Sequence, residues 1–292
     1  MNTTYRPTRR KFLQQSTISI GCAASALAAV RTLAAEAGFR GKFAICNETF
    51  GDWPFEKAFQ LAAECGYQAI EIAPYTIANN VNDISAARRS EVRRQIESAG
   101  LQVTGLHWML SRTEGLHLTS PDGDVRKKTA EYLGALARFC ADVGGKVLVF
   151  GSPQQRNLAE GVSREQGLEY AVEVFSEALP IVEQTDTLLA IEPLSVRTTN
   201  FIRTAAEGAD LVGRVASPRF RMILDCLAMA SESIPMPELI RTHHKRMVHF
   251  HANDPNRQGP GFGELDFVPI FQALRDVEYD RWVSVEVFDY TP

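Results

Sequence analysis

The sequence predicts an α/β protein, a (β/α)8 TIM barrel short of its last helix. Three observations predict it. Eight short apolar, β-branched runs recur at intervals of about thirty residues, the length of one strand plus one crossover helix. The stretches between them carry helical periodicity. No G-x-G-x-x-G follows the first run, which removes the phosphate-binding turn expected of the rival fold, an open doubly wound sheet.

The strands are expected at "KFAIC", "QAIEIA", "LQVTGLHW", "KVLVFGS", "TLLAIEP", "RMILDC", "MVHFHA" and "WVSVEVF". Helices are expected over Pro54–Cys65, Ser85–Ala99, Asp122–Val143, Ser163–Gln184, Thr204–Val215 and Phe267–Val277. Gly66, Gly100 and Gly144 stand where a left-handed residue closes a helix. Strand-then-helix order implies parallel neighbours, because parallel pairing needs a crossover of this size. After Glu286 only six residues follow. With no eighth helix, an apolar seam is left between the last and first strands. Another copy of the chain could cover it as a homo-oligomer, residues beyond the given end could, or the N-terminal segment could fold over it.

The N-terminal segment reads as an export signal. Arg9-Arg10-Lys11-Phe12-Leu13 precedes the small, apolar "STISIGCAASALAAV", and small residues around Leu33–Ala37 offer a cleavage site. The arginine pair followed by x-Phe-Leu resembles a twin-arginine signal of bacteria. This gives residues 1–37 as signal peptide, residues 38–292 as the catalytic barrel, and a periplasmic location. "SIGC" also permits lipoprotein processing at Cys22, an alternative weakened by Ser19 where Leu is usual. Arg31 closes the apolar run, leaving it too short for a membrane span. Cys46, Cys65, Cys140 and Cys226 lie in apolar patterns without C-x-x-C spacing, and read as buried small hydrophobes.

With 45% hydrophobic and 23% charged residues the chain is ordinary globular material. Its net charge of -4 gives no electrostatic case for nucleic acid.

In such a barrel the chemistry sits where strands end. The last four predicted strands end on Glu192, Asp225, His251 and Glu286, spaced by 33, 26 and 35 residues, one βα unit each. Three carboxylates and an imidazole then meet on one rim. Packed without a counter-ion, the carboxylates would raise one another's pKa. One divalent cation resolves this, and an oxygen-rich set with one nitrogen suits Mn2+ or Mg2+ best, with Co2+, Fe2+ or Zn2+ as alternatives. Period-two alternation puts Ala190, Ile223, His249 and Ser284 in the layer beneath, so His249 reads as a hydrogen-bonded core histidine, with Ser284 as its partner. Further rim candidates for substrate contact are His107, Glu71, Arg156 in "GSPQQR", and Trp53 in the first βα loop.

The pieces "AIEPL", "ILD", "HFHANDPNRQGPGFGELDF" and "VSVEVF" resemble the xylose-isomerase-like TIM-barrel superfamily of sugar isomerases and epimerases, from about Phe43 to the end. The resemblance implies that Glu192, Asp225, His251 and Glu286 bind one divalent metal. It implies that Glu192 and Glu286 also move the proton, and that Arg257, six residues after His251, contacts the substrate. Two positions depart from the pattern. Ala228 stands where relatives place a histidine, and Thr198 where they place a second glutamate.

The expected activity is therefore isomerisation or epimerisation of a keto-sugar or related polyol through a cis-enediolate. The alternative is a lyase or dehydratase using the same site on a keto-sugar or 3-keto-glycoside. An endonuclease IV-type enzyme would need metal ligands this chain lacks, and a non-enzymatic sugar-binding barrel would not need an acid–base pair.

Overall fold

The computed structural model describes residues 24–289. Eight parallel strands form one closed barrel in chain order: β1 (Lys42–Cys46), β2 (Ala69–Ile72), β3 (Gln102–Leu106), β4 (Val147–Phe150), β5 (Leu188–Ile191), β6 (Phe220–Asp225), β7 (Met247–Ala252) and β8 (Trp282–Val285). β8 pairs with β1 from Lys42↔Trp282 to Ile45↔Val285, which closes the ring. The strands are buried along nearly their whole length, which is why they read as continuous apolar runs. β3 and β4 meet at Gly105, where a Cβ would run into the Val147 carbonyl, so only glycine permits that pairing.

The outer layer contains α2 (Phe55–Glu64), α3 (Ala86–Ser98), α4 (Gly123–Asp142), α5 (Arg164–Gln184), α6 (Ala205–Val215), the short α7 (Cys226–Met229), α8 (Met236–His243) and α9 (Val268–Asp276). Side-chain caps set several starts. Ser85, Asp122 and Thr204 each accept a backbone N–H from the first turn, and Ser163 forms a reciprocal capping box with Gln166. The six helices expected from the sequence begin and end within about two residues of that expectation, and α7 and α8 are additional.

A further helix, α1, spans residues 24–36 and precedes β1. It lies between the end of α2 and α9. Arg31 donates to the Gly66 carbonyl at 2.7 Å, and Arg275 of α9 donates to the Ala37 carbonyl at 2.8 Å. Its face of Ala26, Leu27, Val30, Ala34 and Ala37 is buried in the main core. Of the three coverings considered for the open seam, the described residues show the N-terminal one. The twin-arginine motif and Cys22 lie outside the described residues. Among the described residues, no helix is long and apolar enough to cross a membrane. Cys46, Cys140 and Cys226 are buried, Cys65 is half-buried, and all four are free thiols.

Candidate active site and metal centre

Register brings the four rim residues together. Asp225 ends β6 and pairs with His251 of β7, which in turn pairs with Ser284 of β8, two residues short of Glu286. Glu192 immediately follows β5, its N–H bonded to the Phe150 carbonyl. The imidazole Nδ1 of His251 lies 3.5 Å from Glu192 Oε1, 3.5 Å from Glu286 Oε2 and 4.0 Å from Asp225 Oδ2. One ligand atom from each of the four falls within 4.8 Å of all the others. All four residues are buried.

The electrostatics of this cluster suit a cation. Burial, with Glu192 and Glu286 alongside, pushes the Asp225 carboxyl up to about 8. His251 Nδ1 has no hydrogen-bond partner and faces the carboxylates. An orphaned buried imidazole nitrogen amid three acids is a donor set suited to a hard or borderline divalent ion.

A second layer orients the first. Glu71, on β2, accepts from His249 Nε2 at 2.7 Å and lies 3.2 and 3.3 Å from His251 Nε2. A proton on His251 Nε2 directed at Glu71 leaves Nδ1 with its lone pair toward the carboxylates, the tautomer a metal ligand needs. Burial works to raise the Glu71 pKa, but the two imidazoles and their hydrogen bonds hold it well below the usual carboxylate range. His249 also meets Ser284 Oγ at 3.0 Å, as the strand alternation implied. Asn253 donates to Asp225 Oδ2 at 2.6 Å and to Glu286 Oε2 at 3.1 Å, fixing two ligands with one amide. Asp225 Oδ1 caps α7 by accepting from Ala228 N at 2.6 Å.

Above the cluster opens a cavity of about 100 Å³ lined by Trp108, Leu194, Thr198, Leu227, Ala228 and Phe288, with Glu192, Asp225, Glu286, His107 and Arg257 also on its wall. Arg257 has φ 73°, and its guanidinium stacks over Phe288 at 4.8 Å. Its carbonyl accepts from both Phe288 N and Asp289 N, tying the loop after β7 to the one after β8.

Three of the candidate substrate contacts, Arg156, Glu71 and Trp53, do not line this cavity. Arg156 is fully buried and donates to the Glu192 and Phe150 carbonyls at 2.7–2.8 Å. It positions the Glu192 backbone and does not face the cavity. Glu71 is buried beneath His251 and reaches the imidazole rather than the cavity. Trp53 packs on Phe50 with the Lys57 ammonium over its ring, and walls a neighbouring hollow with Glu48, Tyr75 and Arg112. His107 does line the cavity, and is held there by Glu48 Oε2 at 2.8 Å. Burial lowers its pKa, but Glu48 outweighs this and brings it to about 9. Glu48 and Asn253 escaped the sequence reading. Asn253 lies two residues past His251, and that period-two spacing was the available signal; Glu48 lies in the 3-10 turn Asn47–Phe50 after β1, where no strand period orients a side chain.

The family model described as xylose isomerase-like TIM barrel matches residues 59–292. The chain belongs to that family. It is 28% identical over 231 residues to a D-psicose 3-epimerase of Ruminiclostridium cellulolyticum, covering 77% of this chain and 75% of that protein. It is 25% identical to a probable ketose 3-epimerase of Synechocystis, covering 80% and 79%. A 3-dehydro-D-guloside 4-epimerase of Escherichia coli is 24% identical, covering 82% and 89%. Among solved structures, D-psicose 3-epimerase with D-tagatose from Clostridium cellulolyticum superposes with a TM-score of 0.75 at 23% identity, over 85% of each chain. A 3-keto-D-glucoside 4-epimerase from E. coli gives 0.73 at 20% identity, over 87% and 95%; at these identities the structural likeness shows the fold. The family is one of sugar epimerases and isomerases, an enzyme family of closed eight-stranded barrels.

Proposed function

We propose that this protein is a divalent-metal-dependent epimerase or isomerase of a keto-sugar, with Glu192 and Glu286 as its acid–base pair. The observation that carries this reading is the placement of those two glutamates. They come from β5 and β8, one on each side of Asp225 and His251, each 3.5 Å from His251 Nδ1 and both on the cavity wall. Two carboxylates on opposite sides of a bound sugar can take a proton from one face and return one from the other.

Glu192, Asp225, His251 and Glu286 would hold the metal, Mn2+ being the best fit to the donor set. Such an ion would offset most of the charge of the three acids and would acidify the C–H between a carbonyl and an adjacent hydroxyl. The chain's own groups do the rest. One glutamate accepts the proton and the other delivers it. Arg156 fixes the backbone of Glu192, and Asn253 fixes the carboxylate of Glu286. Arg257 at the mouth binds sugar hydroxyls, His107 walls the cavity with its Nε2 held by Glu48, and Trp108, Leu227 and Phe288 keep water from the reacting carbon. The relatives' names support a ketose or 3-keto-glycoside as substrate.

A second reading, a lyase acting on a 3-keto-glycoside, is favoured by the apolar wall. Leu194, Leu227, Ala228 and Thr198 offer room and few hydrogen bonds on one side, which suits an aglycone better than a hydroxyl-rich chain end. One experiment separates them. The Mn2+-loaded protein is incubated in D2O with a panel of ketoses and 3-keto-glycosides and followed by NMR. Deuterium entering one carbon without elimination supports the epimerase or isomerase. A released aglycone or an enone supports the lyase, and no exchange with any of them sinks both.

A further inference from the structure

We propose that helix α1 is a permanent part of the working enzyme. It stands in for the eighth outer helix and braces the loop that carries Arg257, so any leader peptide is removed ahead of residue 24 and not at Leu33–Ala37.

Its position carries the first half. A helix following β8 would lie between the last outer helix and the first, antiparallel to the strands. α1 occupies that slot. Ala26 lies against Gly259 in the loop after β7, at the C-terminal mouth of the barrel, while Arg31 and Ala37 reach Gly66 and Arg275 toward the opposite end. Ala26, Leu27, Val30, Ala34 and Ala37 follow one helical face, and each is at most 1% exposed.

The helix also ends like a designed element. Gly38 at φ 71° donates to the Ala35 carbonyl, and Phe39 donates to Ala34 at 2.8 Å, the paired bonds of a Schellman cap. Phe39 then stacks on Phe271 of α9 at 5.6 Å. Cleavage at Leu33–Ala37 would cut through this last turn and strip the seam.

The second half rests on the sugar-epimerase reading, because it concerns Arg257. A Cβ built on Gly259 would meet Ala26 Cβ at 2.9 Å, and one on Gly261 would meet Ala29 Cβ at 2.9 Å. The loop therefore seats on α1 through glycine–alanine contacts on either side of Pro260, the nearer of them, at Gly259, two residues from Arg257. Ala26 and Ala29 are positioning residues for that loop.

The test has two independent arms. In the first, the full chain is expressed in a bacterium with twin-arginine export and the recovered protein is weighed intact. A mass that includes residues 24–37 is expected, whether or not a leader has been removed. A folded protein beginning between residues 34 and 38 overturns the proposal. A chain beginning at residue 24 should melt with the full chain. One beginning at 38 should melt roughly 10 °C lower or self-associate through its bare seam. Equal melting of a monomer beginning at 38 also overturns it. This arm needs no substrate and stands or falls apart from the sugar chemistry.

In the second arm, Gly259→Ala should raise KM for the sugar roughly tenfold with kcat changed less. Ala26→Gly in the same chain should restore it. Failure of the second substitution to rescue the first refutes the bracing role. Should Gly259→Ala fail to fold, folding restored by Ala26→Gly shows the same contact, and no restoration counts against it.

Discussion

His251 is clamped between opposing demands. Its Nε2 lies 3.2 Å from Glu71 Oε1, while its Nδ1 faces Glu192, Asp225 and Glu286 at 3.5–4.0 Å. A carboxylate behind an imidazole fixes its tautomer and strengthens the nitrogen on the far side as a ligand. Glu71→Gln should therefore weaken Mn2+ binding roughly 10- to 100-fold while leaving the barrel folded. Titration calorimetry on the metal-free variant measures this, and unchanged affinity would remove Glu71 from the site.

Replacing either acid should stop proton transfer. Glu192→Gln and Glu286→Gln are each expected to lower solvent deuterium exchange into the sugar by roughly a hundredfold to ten-thousandfold. Because both residues are also candidate ligands, exchange is measured with metal content verified and Mn2+ in excess. Full exchange in either variant would rule out the acid–base assignment.

The metal-free protein should lose stability as pH rises from 6 to 9. Asp225 is pushed up to about 8 by burial and by Glu192 and Glu286, so over much of this window the folded chain keeps a proton the unfolded chain has released. His107, raised to about 9 by Glu48 against the effect of burial, contributes stability that is full below the usual imidazole range and fades as pH approaches 9. His251, raised by Glu71 and Glu286 against burial, acts in the same direction. Glu71, held low, keeps its contribution throughout this range and loses it only in acid. Mn2+ should reverse the trend, since binding displaces the Asp225 proton below about pH 8 and needs no displacement above it. Thermal melts with and without Mn2+ at both pH values check the sign. A metal-free melting point that rises from pH 6 to 9 contradicts it.

Arg156→Met should cost on the order of 3 kcal/mol by chemical denaturation, because the Glu192 and Phe150 carbonyls lose their buried charged donor. If Arg156 acts only by holding Glu192, kcat should fall further than KM rises. A variant with intact stability and a raised KM alone would return Arg156 to substrate contact.

The local chemistry of the strands made most of this site legible in advance. Each of Glu192, Asp225, His251 and Glu286 ends a buried apolar run one βα unit from the next, and parallel barrel topology converts that spacing into adjacency. His249 and Ser284 followed from the same alternation. Arg156 and Trp53 were misplaced because they lie in loops, where no period says which way a side chain turns. The Arg156 guanidinium turned inward to satisfy two backbone carbonyls that the chain had to bury.

Strand count, parallel order and the four-residue cluster were legible in the chain alone, because backbone periodicity and burial fix which residues share a rim. That Glu71 backs His251, that Asn253 bridges two acids, and that residues 24–36 cover the seam outside β8 and β1 came only from the folded molecule. These are contacts between elements far apart in the chain. A small-residue run such as "AASALAAV" suits an export signal or a buried helix equally well, and what distinguishes them is whether a matching apolar seam is there to receive it.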